Sequence, residues 1–511
     1  RWRSREVFFR TGLLSCSLVG VILVTYGVVC SRHLRIAYAL EEDAMRCPAP
    51  ASQPDPDRDV DPDAEKQQAM LQSFLGTIAH YFGSLSRLFG PVEDPRNPKQ
   101  ITYPLRALLF TGVLLFLCRL GSRRQITHQL RQNQASASKF GALFGVEEVP
   151  HGDTLNHTFA QLVPGQVQAI LPNMVETLIR NKVLYPFRLL DRYVMVAMDG
   201  TGMLTFPQRH CPHCLTRTLR DGRTLYYHHV LEAKVVTGNG FVFSVLTEFI
   251  ENSDPQADKQ DCELKAFYRL IERLKARFPR LPICLLLDGL FAGGPTFARC
   301  QAYGWKYLIV LTDDDLPSVN EEFDALCTLE PTHRIARTSG SEDQIHRVYR
   351  WINEIAYRDS AGRDHLVSVL ECVETKPKGL TEQTVTKFKW VTNFHLTAKN
   401  SPILADDGGR MRWKIENEGF NVQKNGGFAL EHAYSQEETA GKIFYFLLQI
   451  AHLIFQLVEK GSLFRNAFPK GVGSLRNIAY ALLEAWRNLR LPKPALMRLS
   501  TGAFQIRFDT S

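Results

Sequence analysis

Two aspartates occupy comparable places in the sequence, each directly after a short apolar run and directly before a glycine. Asp199 follows the run at residues 193–198, and Asp288 follows the run at residues 283–287. Apolar runs of this length predict buried strands, so each strand is expected to end in a carboxylate at one edge of a sheet. Paired carboxylate oxygens suit Mg²⁺ or Mn²⁺ better than zinc. Asp-Gly is also common turn chemistry, which is the alternative interpretation for either strand alone.

A third carboxylate is needed to hold two metal ions, and the strongest candidate is Glu416. Arg412, Glu416, Phe420 and Lys424 recur every four residues and therefore predict one stripe of a helix. The cations on either side stabilise Glu416 as an anion and place it beside groups that can bind phosphate. A surface ladder of salt bridges shows the same spacing and is the alternative. Glu418 is a local rival, but it lies off the stripe.

A cluster of cysteines and histidines follows the first aspartate strand. Cys211 and Cys214 are separated by two residues, and His228 lies in the next β-rich stretch. These three residues are candidate ligands of a structural zinc ion. The spacing is looser than that of a zinc finger, so a metal-free loop is the alternative. Further histidines lie close by in the sequence: His210, His213 and His229.

The elements that must position these residues alternate between strand and helix. Residues 191–317 predict the order β-β-β-α-β-α-β, with an Asn-Gly turn between the second and third strands. The first three strands are expected to be antiparallel and the others to be joined by crossovers, which gives an α/β fold with helices flanking a mixed sheet. Residues 318–400 combine a helix with strands and are expected to form a β-rich insertion beside this sheet, outside it. Helical sequence then resumes in residues 401–460, which carry Glu416.

The region before this core is predicted to be all helical, over residues 67–190. Arg123 and Arg124 lie on one short helix there and are candidates for contacts with DNA phosphates and base edges, although a solvated helix face has the same composition. The apolar stretches at 107–118 and 443–458 are too short or too polar to span a membrane and predict core helices.

The two ends of the chain differ from the core in composition. Residues 11–30 carry no charge and are long enough for a membrane anchor, but an over-extended reading frame explains them equally well. Residues 46–65 are rich in proline and aspartate and predict a disordered linker within the N-terminal segment 1–66. Residues 1–65 are expected to be dispensable for catalysis. Residues 461–511 predict a basic, helical tail.

The overall composition is that of a globular protein with a sizeable core. The chain has 511 residues, of which 45% are apolar and 22% are charged. Its formal net charge of +8 is compatible with a polyanionic partner without requiring one. The 11 cysteines are scattered, which favours reduced thiols and hence a cytoplasmic location without stable membrane association.

These features together resemble the DDE transposases of bacterial insertion sequences. The resemblance rests on the Asp-Gly-Thr strand, the second Asp strand, the β-rich insertion and the Arg-Trp-x-Ile-Glu helix, and it covers about residues 100–460. It implies an RNase H-like catalytic core in which Asp199, Asp288 and Glu416 bind two Mg²⁺ or Mn²⁺ ions. Arg412 matches the arginine of the family's glutamate helix. The family's tyrosine and lysine in that helix are replaced by Gly409 and Gln423.

The resemblance also implies what the protein does. Its activity would be metal-dependent cleavage and strand transfer of an insertion sequence in the nucleoid. Its partners would be the terminal inverted repeats and a target DNA, bound by a homodimer with contacts from Arg412 and Lys424. The alternatives are a catalytically inactive or domesticated DNA-binding protein and a metal-dependent nuclease on the same fold.

Overall fold

The structure is a computed structural model and describes residues 62–252, 259–340, 345–378 and 382–509. The uncharged segment at residues 11–30 and most of the proline- and aspartate-rich linker lie outside these described residues. The predictions about a membrane anchor and about a dispensable N-terminal segment therefore stay predictions.

A mixed sheet of ten strands runs through the described part of the chain. Its strands are β1 (Val194–Phe206), β2 (Leu215–Thr218), β3 (Thr224–Val236), β4 (Val242–Ile250), β5 (Ile283–Leu287), β6 (Lys306–Val310), β7 (Arg334–Ser339), β8 (Ile345–Arg358), β9 (Asp364–Lys378) and β10 (Glu382–Thr392). The order across the sheet is β2-β3-β1-β5-β6-β10-β9-β8-β7, and β4 also pairs with β3.

The first half of the sheet confirms the predicted mixed α/β order. β1, β3 and β4 are antiparallel, whereas β5 and β6 run parallel to β1. The crossovers contain the helices Glu263–Arg277 and Gly294–Tyr303. β5 is fully buried along its length, as expected for an aliphatic strand that has a neighbour on each side and helices on its faces. The short strand β2 was not predicted.

The expectation that residues 318–400 lie outside the central sheet is wrong. β10 pairs antiparallel with β6 through three residue pairs, from Trp390–Val310 to Thr392–Leu308. β9, β8 and β7 then extend the same sheet. The physical reason is apolar matching, because Trp390 and Val391 are buried and meet the half-buried Val310 and the buried Ile309 of β6. A strand buried on both faces is typical of a sheet interior.

Helices flank the sheet and are the main elements of the described region before it, residues 62–193. The α-helices are Pro62–Phe82, Leu85–Phe89, Leu105–Leu117, Arg123–Gln125, Gln134–Phe144, Gly152–Phe159, Pro164–Gln168, Ile170–Arg180, Glu263–Arg277, Gly294–Tyr303, Pro317–Leu329, Ser401–Ile403, Val422–Asn425, Glu438–Lys460, Ser462–Ala467, Leu475–Asn488 and Lys493–Thr501. Tighter 3₁₀ turns occupy Pro98–Gln100, Tyr185–Phe187, Gly289–Phe291 and Gly409–Trp413, and wider π turns occupy Ile126–Arg131, Leu404–Gly408 and Ile415–Asn421.

The first described helix begins earlier than predicted. Pro62–Phe82 takes in four residues that the sequence assigned to the linker. Proline suits the first turn of a helix because its missing N–H would have no partner there. Asp63 and Glu65 add negative charge where the helix dipole is positive. These residues therefore belong to the folded region.

The C-terminal residues pack onto the N-terminal helices. Trp486 and Leu496, on two helices of the predicted tail, are fully buried. The buried ammonium of Lys139 donates hydrogen bonds to the carbonyl oxygens of Trp486, at 2.8 Å, and Leu489. The C-terminal region is thus helical as predicted up to Thr501, but its helices form part of the core.

Both predicted core helices are confirmed. Leu105–Leu117 is buried along nearly its whole length. Within the described ranges, Glu438–Lys460 alone is long and apolar enough to cross a membrane, and 89% of its most apolar window is buried inside the protein. Its polar residues have partners: Gln456 bonds the backbone of Val242, and Gln449 accepts from Lys234.

Candidate active site

Asp199 lies inside β1 and does not end it. The strand continues to Phe206 by pairing with β3, whereas its pairing with β5 extends only to Ala197 and Leu286. The predicted strand end is therefore wrong. The carboxylate nevertheless lies where the sheet opens, because β1 continues past the end of β5.

Asp288 is the first residue after β5 and lies beside Asp199. Ala197 pairs with Leu286 in parallel register, so Asp199 and Asp288 are level with each other two residues further along. Neighbouring strands are about 4.8 Å apart. The Asp288 side chain accepts a hydrogen bond of 3.1 Å from the backbone N–H of Leu290, which fixes the carboxylate at the start of a short 3₁₀ turn.

Glu416 reaches the same place from the helical segment that follows β10. The guanidinium of Arg412 lies between two carboxylates, with Nη1 3.2 Å from Asp199 Oδ2 and Nη2 3.4 Å from Glu416 Oε1. Glu418 pairs instead with Lys414, at 3.4 Å. The structure thus brings together the three acids singled out from the sequence and separates the rival glutamate from them.

The predicted helical stripe is only partly present. The segment passes from a 3₁₀ turn at Gly409–Trp413 to a π turn at Ile415–Asn421, so residues four apart do not stay on one face. Arg412 and Glu416 meet, but Phe420 is buried and Lys424 pairs with Glu431 at 2.8 Å.

Three further residues surround the carboxylates, and the sequence alone did not assign them. His229 on β3 lies 2.8 Å from Glu263, the first residue of a helix. A side chain at Gly200 would collide with both of them, so glycine is needed directly after Asp199. Asp315 lies on the other side, where its carboxylate would collide with a side chain at Gly289.

The electrostatics of the site favour a cation. Burial raises the pKa of Asp199 to about 7. The positive charge of Arg412 opposes this rise, and Glu416 and Asp288 add to it. Burial also raises the pKa of Asp288; Arg412 opposes this rise, and Glu263 adds to it. One guanidinium therefore faces an excess of carboxylates. Buried carboxyl oxygens with unmet negative charge are the donors that Mg²⁺ and Mn²⁺ prefer, so the residues present fit such ions.

The raised pKa of Asp199 leads to a prediction about stability. Its pKa is 3.8 normally and about 7 in the folded protein, so the folded state keeps a proton that the unfolded chain releases between these values. The contribution of Asp199 to stability is therefore complete below about pH 4 and is lost as pH rises through about 7. We expect Asp199→Asn to raise the free energy of unfolding at pH 8 by on the order of 1–3 kcal/mol.

This effect is measured by thermal unfolding in EDTA at pH 8 and pH 5, where the gain at pH 5 should be much smaller. Asp364→Asn is the control, since that side chain is 80% exposed and should change little at either pH. Equal shifts of the melting temperature at both pH values would contradict the buried-charge explanation.

The structure shows what surrounds Gly409 and Gln423, the two positions that depart from the pattern of the DDE transposases. A side chain at Gly409 would collide with the indole of Trp390 on β10, so an aromatic ring from another strand occupies that space. Gln423 is fully buried and donates to Gln449 at 2.7 Å. A lysine at position 423 would bring an ammonium into that buried amide cluster, at the cost of removing the charge from water.

The residues predicted to contact DNA lie in different environments. Arg412 is turned toward the carboxylates, and Lys424 has its partner in Glu431. Arg123 lies 3.4 Å from Asp153, while Arg124 is exposed and forms no ion pair with any described residue. Both arginines begin the helical segment that continues to Arg131. Their contact with DNA stays a prediction.

The cysteine–histidine cluster also converges. Cys211 and Cys214 have their sulfur atoms 3.6 Å apart, and His228 Nε2 lies 3.5 Å from each. His213 points elsewhere, with Nδ1 2.9 Å from the carbonyl oxygen of Asn252. His229 faces Glu263, as alternation along β3 requires for the neighbour of His228.

Part of the chain matches the model of a known protein family. Residues 86–174 match the model of the DDE_Tnp_1-associated family. The matched stretch is helical and includes the segment that begins with Arg123 and Arg124. No curated protein matches the chain. The match shows that this helical stretch is similar to a domain associated with DDE-type transposases.

Proposed function

We propose that the protein is a DNA transposase that cuts and joins DNA strands with divalent metal ions held by Asp199, Asp288 and Glu416. The observation that carries this proposal is the placement of the three acids. Two of them are level on neighbouring parallel strands, and Arg412 links the third to the first. The family match over residues 86–174 supports the same function from a separate part of the chain.

The strand order supports an RNase H-like core. Strands β4, β3 and β1 are antiparallel, and β5 and β6 continue the sheet parallel to β1. The acids lie where β1 extends beyond the end of β5, at the carboxyl end of the parallel strands. Ligands of open α/β sheets commonly bind at such an edge.

The chemistry follows from the donor set. When bound, two divalent ions stabilise both the attacking and the leaving oxygen in a displacement at phosphorus. The residues of the chain provide the rest. Asp199 and Asp288 are fixed by the register of the sheet, so their spacing does not depend on a loop. Arg412 has a planar fork of N–H donors that suits phosphate oxygens as well as carboxylates.

DNA is the proposed partner, and its contacts are expected to come from outside the acidic cluster. Arg124 is the best placed of the predicted arginines because it is exposed and has no described ion-pair partner. Phosphate contacts of this kind depend strongly on salt concentration. Replacing Arg124 should therefore weaken binding without changing the metal requirement of cleavage.

The experiment uses the full chain and DNA fragments that carry the sequences flanking its gene. We expect Mg²⁺ or Mn²⁺ to support cleavage at the element ends and joining of those ends to a target plasmid, with no activity in EDTA. Asp288→Asn should bind the same fragments and fail to cut them. Cleavage without joining would identify a nuclease, and binding without cleavage by the unmodified protein would identify a non-catalytic DNA-binding protein.

A further inference from the structure

The loop between β1 and β2 and the start of β3 gather four side chains that suit a soft metal ion. Cys211 and Cys214 come from the loop, and His228 comes from β3. His210, Cys211 and His228 each place a ligand atom within 4.8 Å of the others. His210 was not among the ligands predicted from the sequence, because the Cys-x-x-Cys spacing alone does not single it out.

The distances among Cys211, Cys214 and His228 match those around a tetrahedral zinc ion. Zinc with sulfur at about 2.3 Å and nitrogen at about 2.0 Å places two sulfurs about 3.8 Å apart and each sulfur about 3.5 Å from a nitrogen. The sulfurs of Cys211 and Cys214 are 3.6 Å apart, and His228 Nε2 lies 3.5 Å from each sulfur. A disulfide would need about 2.05 Å between the sulfurs, so these are free thiols with room for an ion between them.

His210 is the candidate for a fourth donor, because it lies within 4.8 Å of Cys211 and His228. Its Nδ1 atom is buried and has no hydrogen-bond partner among the residues that the structure describes. The ring stacks on Phe206, with centroids 4.5 Å apart and planes at 10°, which fixes its orientation. A buried imidazole nitrogen without a partner is costly unless something binds it. A metal ion beside Cys211 and His228 would satisfy it.

The surroundings also hold the ligands in place. The backbone N–H of Cys211 lies 3.4 Å from the sulfur of Cys214. Asn252 donates a hydrogen bond of 3.1 Å to the carbonyl oxygen of Cys214, which is fully buried. Partners of this kind, outside the ligands themselves, orient them and tune affinity in metal sites.

We propose that Cys211, Cys214, His228 and His210 bind one structural zinc ion. The ion would tie the loop after β1 to the first half of β3. His229, the next residue on β3, faces Glu263 beside the acidic cluster. The zinc therefore fixes the strand that supplies His229, at a position separate from the carboxylates that suit hard ions.

The test is the metal content of the full chain, purified without a polyhistidine tag. We expect about one zinc ion per chain. The double variant Cys211→Ser, Cys214→Ser should contain less than a tenth of that amount. Cys262→Ser and Cys327→Ser, which lie outside the cluster, should keep the full amount. Zinc at the wild-type level in the double variant would overturn the proposal.

A matched pair of histidine variants tests the fourth ligand. His210→Ala should weaken zinc binding at least about tenfold in competition with a chelator, since even partners beyond the ligands cost about 10–100-fold. His213→Ala, in the same loop, should weaken zinc binding much less than His210→Ala because His213 bonds the backbone of Asn252 and offers no ligand atom. Equal effects of the two substitutions would show that His210 is not a ligand.

Cobalt substitution keeps the test valid if the cysteine variants fail to fold. After removal of zinc from the unmodified protein, added Co²⁺ should give the intense visible bands of a tetrahedral ion together with thiolate-to-metal charge transfer. Weak octahedral bands, or a Cys211–Cys214 disulfide in the protein as purified under reducing conditions, would overturn the proposal.

Discussion

Glu416→Gln is expected to lower metal-dependent DNA cleavage and strand transfer by on the order of 10²-fold or more. The substitution keeps the size of the side chain and removes the negative charge that a divalent ion requires. Both reactions should fall together because the same ions serve both displacements. Binding to DNA, measured by gel shift, should be retained, since it depends on cationic contacts elsewhere on the protein.

Glu418→Gln is the matched control for this variant. It lies two residues away on the same π turn, and its carboxylate pairs with Lys414, away from Asp199. Glu418→Gln should therefore leave cleavage close to the unmodified rate. Loss of cleavage in Glu418→Gln, with activity retained in Glu416→Gln, would mean that Glu418 is the metal ligand. The assignment of Arg412 as the link to the third acid would then fail as well.

Glu232→Ala is expected to lower the free energy of unfolding by about 3–5 kcal/mol. Glu232 and Lys234 are fully buried on β3, with Nζ 3.2 Å from Oε2. The Glu232 carboxylate also accepts hydrogen bonds from Ser244, Thr247 and Tyr445. Removing it leaves a buried ammonium whose remaining described acceptor is Gln449, and it leaves three hydroxyl groups without their acceptor.

A double variant separates the cost of an unpaired charge from the value of the pair. Glu232→Gln combined with Lys234→Met removes both charges and keeps an oxygen that can accept from the hydroxyl groups. This double variant should recover most of the free energy of unfolding that Glu232→Ala loses, because replacing a whole buried ion pair is often close to neutral. Urea unfolding measures both variants. Glu431→Ala, which removes the exposed partner of Lys424, should cost at most about 1 kcal/mol.

If the double variant is as unstable as Glu232→Ala, the buried charges are not the cause of the loss. The hydrogen-bonded packing between β3 and the helix Glu438–Lys460 would then account for it. The distinction matters for the candidate site, because β3 also carries His229 and pairs with β1 along the residues around Asp199.

Most of the strands were predictable from the sequence, whereas the strands that each one pairs with were less so. The apolar runs before Asp199 and Asp288 identified two central strands because aliphatic residues there are buried on both faces. The pairing of β10 with β6 depends on contacts between residues about 80 positions apart, such as Trp390 and Val310. Local patterns carry little information about such contacts.

The site was predictable to a similar degree. Asp199, Asp288 and Glu416 were identified from their neighbours in the sequence, and the fold brings them together. His229 and Glu263 were missed because neither lies in a distinctive local pattern, and they meet only when β3 is placed beside the helix that begins at Glu263. Alternation along β3 was the available signal, since it places His229 on the opposite face from His228, which lies beside Cys211 and Cys214.

The pairing of β10 with β6 also determines which strand forms the free edge of the sheet. Without residues 318–400, β6 would present a row of unpaired N–H and C=O groups next to the acidic cluster, and such a row invites pairing with another chain. The insertion moves this free edge out to β7, which has six residues, is largely exposed and carries Arg334 and Arg337. A short, charged edge strand resists pairing between molecules. Excising residues 318–400 is therefore expected to cause aggregation and not to give a smaller folded protein.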